Sequence, residues 1–155
     1  MIEILQKHEE LLRFDDFTND DALCIGQAIV QYARNRGKVV AIEIVLNGWT
    51  VFLFAMNGTS PEHNRWLRRK RNFLEYRRTS SLLGQKIMES QEQTWRDLVL
   101  DEANYSEKGG AFPIIIGNQF VGSITVCGLT ETEDHQMVAD VLASYLQREI
   151  PSILE

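Results

Sequence analysis

Apolar positions along the chain alternate between helical and strand spacing, and each change of period marks an element. Ile4, Leu5, His8, Leu11 and Leu12 recur every three or four residues, so the pattern predicts a short amphipathic helix over residues 2–13. Phe14-Asp15-Asp16-Phe17 interrupts it. Asn19 or Asp20 is placed to cap a second helix, with Ala22, Leu23, Ile25, Gly26, Ile29, Val30 and Ala33 as its buried stripe and Gly37 past its end. Cys24, inside that helix, reads as a small buried hydrophobe. From Val39 to Met56 the period falls to two, and Asn47-Gly48 in the middle is a strong hairpin signal. A two-residue turn would pair Leu46 with Trp49, Ile44 with Val51 and Ile42 with Leu53. Both faces of that hairpin are largely apolar, so helices must cover each side of the sheet.

Ser60-Pro61 has the chemistry of a helix start, and the helix it opens runs to about Arg78. Its apolar stripe holds His63, Trp66, Leu67, Lys70, Phe73 and Leu74. Thr79-Ser80-Ser81 ends it, a further helix begins at Leu82, and a looser segment reaches Leu100. A second hairpin spans Phe112 to Cys127 about a Gly117-Asn118 turn. Pairing Ile116 with Gln119 puts Pro113, Ile115, Phe120, Gly122 and Ile124 on one face. Ile114, Val121, Ser123, Thr125 and Cys127 fall on the other. Thr130-Glu131-Thr132-Glu133 is a capping box for a last helix that runs to about Glu149, with Val138, Val141, Leu142 and Tyr145 as its buried stripe. With no internal repeat, low-complexity tract or linker, residues 1–155 read as a single domain with 1–17 as an N-terminal helical extension.

Composition narrows the class. A chain of 155 residues, 44% apolar and 25% charged, can bury a core without staples. No apolar run approaches the ~18 residues of a membrane-spanning helix, and the N-terminus lacks the pattern of a secretory signal. The two cysteines, Cys24 and Cys127, form no ligand-type pair, which fits reduced thiols in the cytoplasm. The net charge of −6 argues against a nucleic-acid partner. Its distribution is uneven: residues 65–78 hold seven basic side chains and one acid, so that segment carries +6 and the remainder −12. Such a run is a solvated face, a contact with an acidic surface of another copy, or an anion site.

Four features invite a chemical reading. Lys70 lies between Trp66 and Phe73 on an apolar stripe, so its ammonium must snorkel out, pair with an acid such as Glu43, or hold an anionic ligand. Glu43 itself either reaches solvent from an edge strand or faces a pocket, where it needs a cation. Ser123, Thr125 and Cys127 form a row of small side chains leading to Gly128, and Gly122 signals a bulge or a close approach. Together they leave room for a ligand, unless Trp66 or Trp95 fills it. His135, in the first turn of the last helix, is held neutral by the helix dipole and could ligate iron or bond to backbone.

The chain resembles the GlcG/HbpS-like family, often labelled the haem-degrading domain. The likeness rests on Gly109-Gly110, Pro113, Val121-Gly122, Gly128 and the helix that follows. A narrower likeness, to an uncharacterised cytosolic branch, rests on Gly58-Thr59-Ser60, Trp66, Arg69-Lys70, Ser80-Ser81 and Cys127-Gly128-Leu129 with Asp134-His135. The wider family usually has one residue between the paired glycines and the proline, whereas Ala111 and Phe112 both intervene here. The resemblance implies an α+β, profilin-like fold: an antiparallel sheet of about five strands with helices on both faces. It also implies a homo-oligomer, a dimer or larger ring, and it brings haem or a related tetrapyrrole into view as a cofactor.

Three functions are therefore expected candidates. The first is a cytosolic homo-oligomeric protein that binds a small anionic ligand such as haem. Its site would draw on Glu43, His63, Trp66, Lys70, Gly110, Ser123, Thr125, Cys127, Gly128 and His135, with Lys70 meeting carboxylates and His63 or His135 approaching iron. The second is an enzyme on a small anionic metabolite, using Glu43, Lys70 and His135 as acid/base groups. The third is a scaffold that docks partners through the basic helix 61–78. No phosphate-cradling loop, zinc spacing or nucleophile elbow points to a particular reaction.

Overall fold

The computed structural model describes residues 1–154. In chain order the elements are α1 (Ile2–Leu11), α2 (Asn19–Asn35), β1 (Ala41–Leu46), β2 (Trp49–Ala55), α3 (Pro61–Arg77), α4 (Ser81–Ser90), α5 (Trp95–Leu98), β3 (Ala111–Ile116), β4 (Gln119–Cys127) and α6 (Glu131–Leu146). The four strands form one antiparallel sheet in the order β2-β1-β4-β3. One strand fewer is present than the five expected, among the described residues. The segment after α1 contributes only a single bridge from Phe14 to Ile116. Helices α2 and α6 pack on one face of the sheet, and α3, backed by α4, packs on the other.

Both hairpins contain a bulge that the alternation of side chains does not reveal. In the first, Leu46 pairs with Trp49 as expected, but the register shifts so that Ile44 faces Phe52 and Ile42 faces Phe54. Every side chain beyond the shift therefore changes face. Phe52 joins Ile42 and Ile44 in the main core, while Leu53 moves to the face of Glu43. In the second hairpin Ile115 pairs with Phe120, then Ile114 with Gly122 and Pro113 with Ser123. Phe112, Ile114, Ile124 and Val126 consequently enter the same core, and Pro113 faces α3 beside the small-residue row rather than lying with Ile124. Gly122 is both at the bulge and closely approached: a Cβ there would lie 2.0 Å from the Val45 carbonyl oxygen.

Helix ends follow local chemistry. Thr18, not Asn19 or Asp20, caps α2, because its hydroxyl accepts from the Asp21 N–H while the Asp21 carboxylate accepts from the Thr18 N–H. Helix α6 is capped by Thr130 as expected but stops at Leu146, where Gln147 turns left-handed. Three expected core positions lie outside: Leu23 and Tyr145 are exposed, and so is Cys24, which sits on the solvent side of α2. Conversely α1 is well anchored, with Leu5, His8 and Glu9 all buried.

Candidate functional site

The N-terminal ends of α3 and α6 converge at the β4–α6 corner and enclose a cleft of about 580 Å³. Its walls and floor come from His63, Trp66 and Lys70 of α3, Cys127-Gly128-Leu129 of the corner, and Asp134 of α6. Glu62, Lys108, Thr130 and Glu131 complete the rim. These are largely the branch-type motif positions of the sequence, gathered into one place by the fold.

The floor is a buried ion pair. Lys70 Nζ donates to Asp134 Oδ2 at 3.0 Å and to the Val126 carbonyl at 3.1 Å, and the two side chains are 4% and 1% exposed. Asp134 Oδ1 accepts from the Leu129 N–H at 3.1 Å, which ties the corner to the helix. Burial pushes the Asp134 carboxyl above its ordinary range, an effect that Lys70 and the Leu129 N–H oppose. Gly110 makes this packing possible. Its φ is +131°, and a Cβ would lie 2.3 Å from the Val126 oxygen and 3.0 Å from Lys70 Nζ.

The walls are less reactive. The Trp66 ring carries the Arg69 guanidinium 4.5 Å from its centroid. Cys127 donates its S–H to the His63 carbonyl, and burial pushes its thiol up to about 11, so it stays a thiol at neutral pH. His63 Nδ1 accepts the Ser60 N–H at 3.1 Å, which makes the imidazole part of the α3 cap.

The other expected site residues fall elsewhere. Glu43 is on the central strand β1, buried, and bonded to Arg71 at 2.7 Å; it is neither an edge carboxylate nor the partner of Lys70. Ser123 and Thr125 lie under α3, fully enclosed, and their hydroxyls have no protein partner. His135 does not line the cleft. One residue along α6 from Asp134, it turns into the core, where its ring stacks on His8 at 5.3 Å between centroids. His8 Nε2 donates to the Pro151 carbonyl and its Nδ1 accepts from His135 Nε2 at 3.0 Å, leaving His135 Nδ1 unpartnered. Burial and the neighbouring His8 push His135 down to about 3, so it is neutral. Asp134, Glu62, Lys108, Leu129, Thr130 and Glu131 are the cleft residues not among the expected ones. Asp134 carried a signal, as the only acid of the motif facing a lysine that needed a partner.

The basic helix is not a free cationic face. Arg65 pairs with Glu62, Arg68 with Asn104 and Arg71 with Glu43, while Arg77 reaches Gln93. Arg69 and Arg78 lie on the rings of Trp66 and Phe120.

A four-stranded antiparallel sheet, helices on both faces and a cleft at the β4–α6 corner define an α+β protein of the profilin-like kind. The particular family is also clear. The family described as "Haem degrading protein HbpS-like" matches residues 17–143, and the chain belongs to it. A UPF0303 protein of Rhizobium rhizogenes is 38% identical over 146 residues, covering 94% of this chain and 90% of the relative. Among solved structures, that of Ybr137w superposes with a TM-score of 0.86 at 25% identity, covering 95% of this chain and 88% of that one. A PduOC:heme complex has the same fold, with a TM-score of 0.69 at 14% identity over 83% of this chain and 94% of that one. No helix among the described residues is long and apolar enough to cross a membrane.

The family name raises haem, and the donor set answers it. His8 and His135 are enclosed in the core, and Cys127 is held as a thiol. For His63 Nε2 to bind iron, Nδ1 would have to carry the proton and give up the Ser60 N–H. No nitrogen or sulfur donor of the cleft is therefore poised to ligate iron.

Proposed function

We propose that the protein is a cytosolic small-molecule-binding protein whose ligand lodges in the cleft between α3 and α6. The observation that supports this reading is the buried Lys70–Asp134 pair lying at the floor of an apolar-walled recess. A buried charge pair adds little stability over an apolar pair of the same shape, so its place at an accessible cleft favours recognition. Enzymatic turnover finds less support, because the thiol is un-ionised and His63 is engaged as a cap. Haem remains worth testing on the strength of the family alone. Titration of the protein with haemin should give no spectrum of histidine-ligated iron. A sharp low-spin Soret band abolished by His63→Ala would reverse that reading. Native mass spectrometry of protein purified from its source tests the cleft itself. A retained small molecule that is lost in Trp66→Ala supports the proposal, and an empty protein in every preparation counts against it.

Self-association has its own support. Strand β2 is a sheet edge without a charged residue, and Trp49, Leu53 and Phe54 are 77%, 56% and 39% exposed. An unprotected apolar edge of this kind is a natural contact for a second copy. Light scattering should show a multimer that Trp49→Glu with Leu53→Glu converts to monomer. A wild-type monomer at high micromolar concentration would remove the proposal.

A further inference from the structure

The charges of the cleft cancel locally. Lys70 is matched by Asp134 at 3.0 Å and, at the exposed rim, Lys108 by Glu131 at 3.4 Å, while Glu62 is matched by Arg65. Of the groups that line the cleft, Lys70 and Lys108 are positive and Glu62, Glu131 and Asp134 are negative, so there is no surplus cation. An anion reaching the floor would lose its hydration without gaining an unmatched positive charge there. Arg69, the nearby cation with no carboxylate partner among the described residues, lies on the Trp66 indole and outside the lining. The expectation of an anionic ligand, drawn from the density of basic residues in α3, is therefore not what the geometry favours.

What the floor does offer is an unfilled hydrogen-bonding edge. The Lys70 ammonium has three donors, and two are taken by Asp134 and Val126. Each carboxylate oxygen of Asp134 has one partner, Leu129 N–H or Lys70, although each can accept two. A donor and an acceptor thus stand side by side, 3.0 Å apart, at the floor of the recess. A carbonyl oxygen with an N–H on the adjoining atom is the complement of that pair. Above the floor, Trp66 offers a flat wall, and Arg69 lies on the same indole.

Resting on the reading of this cleft as a binding site, we propose that its ligand is a neutral, flat heteroaromatic amide or lactam. Its ring lies against Trp66, its carbonyl accepts from Lys70, and its N–H donates to Asp134. The class includes ring carboxamides and oxo-substituted nitrogen heterocycles, and it excludes carboxylates and phosphates of the same shape.

Isosteric probes test this directly. Nicotinamide and benzamide, compared with nicotinate and benzoate, are titrated into the full chain and followed by calorimetry and by line broadening of ligand NMR signals. The expected result is that each amide binds about tenfold or more tightly than its acid at pH 7, where the acid is ionised. Cyclohexanecarboxamide, which keeps the amide but loses the flat ring, should bind more weakly than benzamide by a similar factor. Trp66→Ala should weaken the aromatic amides and leave the far-UV circular dichroism unchanged. Equal or tighter binding of the acids overturns the proposal, as does binding indifferent to the ring or to Trp66. Binding by none of the four aromatic probes also overturns it. The broader reading of the cleft then stands or falls separately on the retained mass in native mass spectrometry.

Discussion

Replacing Lys70 by methionine leaves the Asp134 carboxylate buried without its cation, while keeping the length and apolar stem of the side chain. Both partners are almost wholly enclosed, at 4% and 1% exposure, so solvent cannot screen the loss. Breaking a buried pair from one side typically costs about 3–5 kcal/mol. Against a total stability on the order of 5–15 kcal/mol, that is a large fraction. With a urea slope of roughly 2 kcal/mol per molar, the unfolding midpoint should fall by about 2 M. The loss should also depend on pH in a definite direction. Asp134 already has a raised carboxyl pKa in the folded state, and without Lys70 it rises further. The folded form then takes up a proton that the unfolded chain, near its ordinary value, gives up, so the penalty shrinks as pH falls towards 4. Removing both charges in Lys70→Met with Asp134→Asn should recover much of the stability, since no charge is then left unpaired and the amide oxygen still accepts from the Leu129 N–H. Urea melts of the wild type, both single variants and the double variant at pH 7 and pH 4.5 measure all of this. A cost below about 1 kcal/mol for Lys70→Met, or no recovery in the double variant, would falsify the view of this pair as a buried, mutually compensating floor of the cleft.

Other predictions concern the core histidines, the glycines and the α3 cap. His135, held down at about 3, is less basic folded than unfolded, so stability should be lost as pH drops below 6.5, by up to about 4–5 kcal/mol near pH 3. Glu9, pushed up to about 7 by burial, has the opposite sign and loses stability as pH rises from 4.5 to 7. The two oppose each other between about pH 4.5 and 6.5, so Glu9→Gln should make stability rise more steeply with pH across that window, read by denaturant unfolding across pH. Gly110→Ala should cost on the order of 3 kcal/mol or more, because the position is strained and a Cβ meets backbone. Gly48→Ala, at φ +82° with no atom within 4 Å, should cost only about 1 kcal/mol, and thermal melts compare the two. His63→Ala should lower stability by about 1 kcal/mol through the lost cap, with little change in fold by circular dichroism.

Lys70 and His135 show what a sequence can and cannot convey about such a site. The starts of α3 and α6 were legible because capping is local: Ser60-Pro61 and Thr130 with Glu133 carry their partners within three residues, whereas at α2 the neighbouring Asn19 and Asp20 offered the same chemistry as the true cap, Thr18. Two-sided burial of the sheet was legible from the apolar density of both hairpins, and so was the small-residue row on β4. The bulge of the first hairpin was not, and that of the second showed only through Gly122, which marks a bulge or a close approach without saying which side chains change face. The bulges insert Val51 and Val121, residues with no feature that distinguishes them from their neighbours, and each reverses a face. That Lys70 points inward follows from its stripe, but its partner lies 64 residues away and any of 22 acids could have met it. At 100° per residue along α6, the step from Asp134 to His135 separates the cleft floor from the core. The histidine that looked like a ligand is instead bonded to His8 of α1, a helix outside the segment matched by the family. Its lost role and the gain of Asp134 have the same cause: the N-terminal helix and the Pro151 carbonyl fill the core side of α6, which leaves the acid next door to face the recess.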